Sequence, residues 1–338
     1  MTASTHATND STGPVTPTHD APGSGRSRRR LRGARNQGLL VMLTLLVVTF
    51  SVISPFFLRL NNFLDMGAVV GILGLMAVAQ TLLIVSGGID ISLGSNAAVC
   101  AVSLVILHQG GLPIWVAAGL ALCIGIGIGL FNGVITVWGG IDPLVTTLGT
   151  LSIFQGLAFT ISGTRTMIIR SESFAFLGRG DVLGVPMPLL LFALAMGLGL
   201  FVERRTRFGR AVYAVGGNLE AARNSGLHVD RIRLVLYVLS GASAAMAGII
   251  VASQLSSAAP QIGASYLLSV ITAVILGGAS LRGGRGSLVG TLIAVAILGV
   301  LQNGFALLQW SAFAQSIVLG IFLIVAVLVD QRLRTRTT

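Results

Sequence analysis

The stretch Glu220-Ala221-Ala222-Arg223-Asn224-Ser225-Gly226 is a short polar segment between long apolar runs. It lies inside residues 203–233, the longest arginine-rich interval between apolar runs, which we call the central loop. The flanking runs each contain about 20 mainly apolar residues, the length that spans the hydrocarbon core of a bilayer. The segment is therefore predicted to be a loop outside the membrane that joins two spanning helices.

The composition agrees with a membrane protein. Apolar residues make up 54% of the chain and charged residues only 10%, which is too little charge to cover a soluble protein of 338 residues. The fold class is predicted to be an all-α polytopic membrane protein with about ten transmembrane helices, several of them short or broken by glycine. The predicted spans are 38–58, 66–86, 92–108, 113–137, 143–162, 186–202, 234–253, 266–281, 285–307 and 312–329.

All 22 basic residues are arginine. Without lysine, the chain contains neither a Walker A phosphate loop nor a retinal Schiff base. Only four arginines fall on one side of the ten-span topology, at Arg59, Arg165, Arg170 and Arg179. The positive-inside rule therefore predicts that the other side, with both termini and the central loop, is cytoplasmic. The net charge of +11 is explained by this topology and does not indicate nucleic-acid binding.

Three regions are predicted along the chain. Residues 1–36 form an arginine-rich cytoplasmic tail whose composition predicts disorder. Residues 37–331 form the transmembrane domain, which includes the central loop, and residues 332–338 form a second cytoplasmic tail.

A weak internal repeat is visible. Val85-Ser86-Gly87-Gly88-Ile89-Asp90 recurs as Val137-Trp138-Gly139-Gly140-Ile141-Asp142, and Gly277-Gly278 ends a short span in the second half. Spans two to five and seven to ten start on opposite sides of the membrane, and the second span of each set is short. This pattern predicts two inverted four-helix repeats, and broken helices in matching positions indicate a transport pathway.

The central loop contains the signals of a short capped helix. Asn218 is a predicted N-cap, Glu220 suits the positive end of the helix dipole, and Gly226 permits a sharp exit turn. An ordinary capped loop is the alternative interpretation. As a docking site, the loop would use Gly217, Asn218, Glu220, Ala221, Ala222, Ser225 and Gly226.

Several blocks of sequence, in order, resemble the ribose-type sugar ABC permease family over residues 38–330. They are Gly216-Gly217-Asn218 through Ser225-Gly226-Leu227, Ser86 to Ser95, Asp142 to Thr150, and Ala273 to Leu281 followed by Gly283 to Ser287. The resemblance implies a bacterial inner-membrane permease that is not itself an enzyme. It also implies a second permease subunit, in a homodimer or heterodimer, an ATPase subunit with two cassettes that binds ATP and Mg²⁺, and an extracytoplasmic sugar-binding protein.

Polar residues in or near the spans are candidates for the translocation path, although hydrogen bonds between helices explain them equally well. The candidates are Gln80, Asn96, Asn132, Gln155 and Asn303. Asp90 and Asp142 are predicted to cap helices, and proton or cation coupling is the alternative. Gly87, Gly88, Gly277 and Gly278 are predicted breaks between helices.

No residue pattern indicates a catalytic or metal site, because Cys100 and Cys123 both lie within apolar spans. The predicted substrate is a neutral monosaccharide, ribose or a similar sugar. An ion-coupled secondary transporter of small polar solutes is the alternative from another class. An ABC permease for an autoinducer-type furanose, a nucleoside or a branched-chain amino acid is the alternative within the same class.

Overall fold

The structure is a computed structural model that describes residues 24–335, with side chains described for 35–311 and 313–325. Most of this part of the chain is helical. The helices are α1 (Ser24–Ile53), α2 (Leu60–Val85), α3 (Leu93–Gln109), α4 (Ile114–Val137), α5 (Pro143–Ser162), α6 (Glu172–Arg179), α7 (Met187–Arg205), α8 (Arg207–Gly217), α9 (Leu219–Asn224), α10 (Val229–Leu255), α11 (Ala264–Leu276), α12 (Leu288–Leu307) and α13 (Ala312–Thr335).

The all-α polytopic fold is confirmed, and ten of these helices coincide with the ten predicted spans. In the described residues, seven helices are long and apolar enough to cross a membrane by length and composition: α1, α2, α4, α5, α7, α10 and α12. Two further apolar helices are shorter, α3 at 93–109 and α11 at 264–276, and α13 is apolar over its described side chains at 313–325. The glycines near α3 and α11 predict that both helices are short.

Helix α1 begins earlier than the sequence analysis predicts. It starts at Ser24 and therefore includes residues 24–36, which were assigned to the disordered tail. Arginine has a high helix propensity, so the basic residues extend the helix of the following apolar run without a break. The predicted disorder of residues 1–23 and the last three residues of the C-terminal tail lie outside the described residues.

The helices pack in two matched sets, α2–α5 and α10–α13. In this match α2, α3, α4 and α5 correspond to α10, α11, α12 and α13. The contact of α4 with α10 corresponds to that of α12 with α2. The contacts of α3 with α5 and α10 correspond to those of α11 with α13 and α2. The two sets run in opposite directions, because α2 ends where α10 begins and Arg233 of α10 donates to the carbonyl of Gly87 at 3.1 Å. This packing supports the inverted repeat predicted from the sequence.

The two ends of the bundle differ in character. At one end, the segments 86–92, 206–228 and 277–287 come together, and we call this end the arginine-rich face. At the other end, which we call the strand-bearing face, four two-residue strands form two antiparallel pairs. There β1 (Met167–Ile168) pairs with β4 (Ser257–Ala258), and β2 (Asp181–Val182) pairs with β3 (Val185–Pro186).

Small residues allow the central helices to approach closely. A Cβ atom on Gly129 of α4 would overlap the carbonyl oxygen of Tyr237 in α10, and one on Gly241 would overlap the carbonyl oxygen of Gly125. Close backbone approach through glycine is typical of helix packing in membranes. The contact between α4 and α10 therefore depends on glycine and joins the two repeats.

Candidate docking loop and translocation path

Helix α9 has the caps that the sequence predicts. The Asn218 side chain accepts a hydrogen bond from the backbone N–H of Ala221 at 2.9 Å, and Glu220 lies in the first turn. Gly226 follows the helix with φ +78°, a conformation that glycine adopts without strain, and the N–H of Leu227 returns to the carbonyl of Ala222 at 3.1 Å. The helix is thus closed at both ends.

The two alanines of α9 face opposite ways. Ala221 is exposed, whereas Ala222 is buried and packs into the main hydrophobic core. Only the first alanine therefore lies on the surface, together with Gly217, Glu220 and Ser225. Docking of a partner on this surface stays a prediction. If a partner docks there, Ala222 would anchor α9 to the bundle.

Helix α8 connects α9 rigidly to the bundle. Its hydrophobic side, which includes Val212 and Val215, is buried in the core. Near its end, a Cβ atom on Gly216 would overlap the carbonyl oxygen of Val85, the last residue of α2. The Tyr213 hydroxyl donates to the carbonyl of Gly286 at 3.1 Å, which links α8 to the turn after α11.

Two glycine turns meet beneath α8. Gly87 has φ +85° and Gly283 has φ +80°, and a Cβ on Gly283 would lie 3.0 Å from the Cα of Gly87. The N–H of Gly284 donates to the carbonyl of Val85 at 2.8 Å. The predicted glycine breaks after α2 and α11 are therefore in contact at one place, where they bring the two repeats together. Gly88, Gly277 and Gly278 lie in the same two turns.

Arg35 closes the end of α11, and the sequence analysis did not find this contact. Its guanidinium donates to the carbonyls of Gly277 at 2.9 Å and Gly278 at 3.0 Å. A cation at a helix C-terminus is favourable because the last carbonyls carry partial negative charge. More than 240 residues separate the partners, so sequence spacing contains no signal for the contact.

Asp90 lies at the centre of a buried polar cluster before α3. One carboxylate oxygen accepts from the N–H and the hydroxyl of Ser92 at 2.9 and 2.6 Å, and the other accepts from the hydroxyl of Ser240 at 2.8 Å. Asn132 donates to the Ser92 hydroxyl at 2.8 Å, and Gln80 donates to the backbone carbonyl of Asp90 at 3.2 Å. These bonds tie α2, α4 and α10 to the start of α3.

Asp142, the second acid, has a different setting. It is exposed, and its carboxylate accepts from the N–H of Leu144 at 2.8 Å as the N-cap of α5. Pro143 is the first residue of that helix, as expected for this position. The geometry agrees with a capping role at Asp142.

The other candidate path residues also make hydrogen bonds within the chain. Asn96 is buried and donates weakly to the carbonyls of Gly125 and Gly241, at 3.3 and 3.4 Å. Gln155 is half-buried and donates to the carbonyl of Pro260 at 2.7 Å, and the half-buried Asn303 exchanges hydrogen bonds with Asn62. In this conformation they link helices, and their place on a path stays a prediction.

The two short helices meet at their N-terminal ends. A Cβ on Gly94, in the first turn of α3, would lie 2.6 Å from the carbonyl oxygen of Gly263, which precedes α11. Two discontinuous helices that meet inside the bundle are typical of membrane transporters. Within the described residues, no three His, Cys, Asp or Glu side chains are grouped to hold a metal ion.

Comparison with known proteins agrees with this geometry. The family described as "Branched-chain amino acid transport system / permease component" matches residues 62–327. The chain is 40% identical to the ribose import permease protein RbsC of Bacillus subtilis over 297 residues, which is 87% of this chain and 92% of that protein. It is 37% identical to RbsC of Escherichia coli K12 over 316 residues, covering 91% of this chain and 98% of the relative.

A third relative has a different named solute. The autoinducer 2 import system permease protein LsrD of Enterobacter sp. strain 638 is 37% identical over 296 residues, 86% of this chain and 90% of the relative. Given the extent of these matches, the chain belongs to this family of transport-system permease components. It is a multi-pass membrane protein of the permease class.

Proposed function

We propose that this chain is the permease subunit of an ABC importer for a neutral monosaccharide, ribose or a similar sugar. The observation that carries the proposal is α9, a capped helix presented at the surface and fixed through Ala222 to the core. A helix held in this way transmits force from a docked partner to the bundle. The partner would be an ATPase subunit, which binds the ATP and Mg²⁺.

The orientation follows from charge. The arginine-rich face bears α8, α9 and the turn with Arg282 and Arg285, so we place it in the cytoplasm. The strand-bearing face would then receive substrate from an extracytoplasmic binding protein. In this arrangement α9 lies on the side where ATP is available.

The path is proposed to run between two permease subunits, either two copies of this chain or this chain and a second permease. Within one subunit, Gln80, Asn96 and Asn132 are fully buried and bonded to neighbouring helices. They would stiffen the wall of the path, whereas the half-buried Gln155 and Asn303 are better placed to contact a solute. Apolar side chains exposed on α5, such as Val145 and Ile153, would be covered by the second subunit or by lipid.

The proposed substrate is neutral. The relatives reported above are named for ribose and for autoinducer 2, whereas the family description names branched-chain amino acids. Among the described side chains, Asp90 is the only Asp, Glu, His or Arg that is buried. An anionic solute would lack a buried cation as its partner, and an unpaired buried charge is very costly.

Transport by the reconstituted complex tests the proposal. The permease, its ATPase and its binding protein in proteoliposomes should import radiolabelled D-ribose or another neutral monosaccharide, with ATP on the side of the arginine-rich face. Vanadate should stop uptake and a protonophore should not, because the driving force is ATP hydrolysis. Uptake that needs an ion gradient, or that prefers L-leucine to every neutral sugar, would contradict the proposal.

A further inference from the structure

A cavity of about 280 Å³ lies between α2, α11, α12 and α13, apart from the polar cluster around Asp90. This volume is close to the lower end of the roughly 300–1,000 Å³ typical of small-molecule sites. Ala264 and Ser265 at its edge are exposed, so the cavity opens to the surface of the subunit. It therefore has room for one small ligand and a route of entry.

The lining is polar without being charged. Hydroxyls and amides come from Ser265, Tyr266, Ser269, Gln302, Gln315 and Ser316, and apolar surface comes from Val69, Leu73, Leu268 and Leu319. Because the lining includes no Asp, Glu, His or Arg, it cannot neutralise a charged ligand. A sugar has hydroxyl groups and apolar C–H surfaces, which match these two kinds of lining.

The polar groups converge from three helices. Ser269 lies one turn beyond Ser265 on α11, and Gln302 of α12 donates to its hydroxyl at 3.2 Å. Gln315, in the first turn of α13, donates to the carbonyl of Trp310 at 3.2 Å. Since amides and hydroxyls both donate and accept hydrogen bonds, this group of residues suits a ligand with several hydroxyls.

The corresponding place in the first repeat is occupied by packed apolar side chains. There α3, α4 and α5 occupy the places of α11, α12 and α13, and Ala98, Val99, Ile128 and Ala158 form an apolar cluster with Phe154. The repeat architecture by itself therefore does not require a cavity. The polar side chains in the second repeat distinguish this space from a packing defect between apolar helices.

Helix α11 connects the cavity to the arginine-rich face. Its first turns line the cavity, and its last carbonyls are held by Arg35. The turn that follows contacts α8, because a Cβ on Gly284 would lie 2.8 Å from the Cα of Gly217. A displacement of α8 would thus reach the cavity through one rigid helix.

We infer that this cavity is a binding site for one neutral, polyhydroxylated molecule the size of a monosaccharide, which the permease holds during transport. The inference rests on the proposed function for the identity of the ligand as the transported sugar. It adds a site within each subunit, beside the path between subunits.

Protection of a thiol tests the site directly. In a background with Cys100→Ala and Cys123→Ala, Ser265→Cys places a single reactive thiol at the mouth of the cavity, and Ser173→Cys places a control thiol on the strand-bearing face. The probes are D-ribose, D-xylose, D-galactose and L-leucine with the purified permease in nanodiscs. A neutral sugar at ten times its Kd should slow labelling of Ser265→Cys about tenfold by mass action, and leave the control unchanged.

A second pair of variants separates binding from general damage. Gln302→Leu removes the amide from the cavity, whereas Gln254→Leu makes the same substitution in α10, away from it. Combined with Ser265→Cys, Gln302→Leu should raise the sugar concentration needed for half-protection about tenfold, as loss of a ligand hydrogen bond predicts. Gln254→Leu should leave this concentration unchanged.

The outcomes distinguish the two proposals. Protection by a neutral sugar without ATP-driven import would support the site and contradict the proposed function. The site would be overturned if the complex imports a neutral sugar but no sugar protects the Ser265→Cys thiol, or if L-leucine alone protects it. Equal effects of Gln302→Leu and Gln254→Leu on the half-protecting sugar concentration would also overturn the site. Failure of all four probes in both assays would contradict the site and the proposed function together.

Discussion

Gly216 of α8 lies directly against the carbonyl of Val85 at the end of α2, with no room for a Cβ atom between them. The same carbonyl accepts a hydrogen bond from the N–H of Gly284 at 2.8 Å. One backbone oxygen thus holds the central loop, the first repeat and the second repeat together. A movement of α8 would therefore act on both repeats at this junction, beside the direct contact that Ala222 of α9 makes with the core.

The junction predicts different effects for adjacent glycines. Gly216→Ala should destabilise the protein by about 1–3 kcal/mol, because the added methyl group meets backbone that cannot rotate away. Gly217→Ala is the control, since a Cβ there meets nothing within 4 Å. Thermal unfolding in detergent measures the difference, and equal midpoints for the two variants would contradict the tight contact.

Arg35 is predicted to stabilise the end of α11. Arg35→Ala removes two charge-assisted hydrogen bonds to helix-terminal carbonyls, and should lower the thermal midpoint and weaken the coupling of transport to ATP hydrolysis. Arg59→Ala is the matched control, because Arg59 is exposed and stacks on Phe56 in the connection between α1 and α2. Indistinguishable midpoints and uptake rates for the two variants would show that Arg35 has no such role.

The proposed orientation predicts opposite accessibility for two exposed serines. In the background without cysteine, Ser225→Cys in the central loop should react with a membrane-impermeant maleimide only after the membrane is permeabilised. Ser173→Cys, on the strand-bearing face, should react in cells whose cytoplasmic membrane is intact. Reaction of both residues in such cells would mean that the arginine-rich face is not cytoplasmic.

Much of this architecture can be predicted from the sequence, because it depends on local signals. The spans follow from runs of apolar residues, and the caps at Asn218, Gly226 and Asp142 follow from residue types that satisfy helix ends. The short helices α3 and α11 follow from glycine near their ends. Each of these features is determined within a few residues of chain.

The remaining features depend on tertiary packing. The burial of Ala222 beside an exposed Ala221 is set by how α9 lies on the core, and the pairing of Arg35 with Gly277 joins opposite ends of the chain. The hydrogen bond from Ser240 to Asp90 joins residues that are 150 positions apart in the chain. The cavity at α11 involves residues from four helices, and no single segment indicates it.

Docking of an ATPase on α9 is the central claim, and one substitution tests it most directly. Ala221→Arg places a long charged side chain on the exposed side of α9 without entering the core, whereas Ser173→Arg makes a similar change on the strand-bearing face. When each variant is co-expressed with the ATPase subunit and purified through the permease, Ala221→Arg should lose the ATPase and Ser173→Arg should retain it. Both variants should keep the wild-type thermal midpoint of the permease. Wild-type recovery of the ATPase with Ala221→Arg, together with normal transport, would contradict the account.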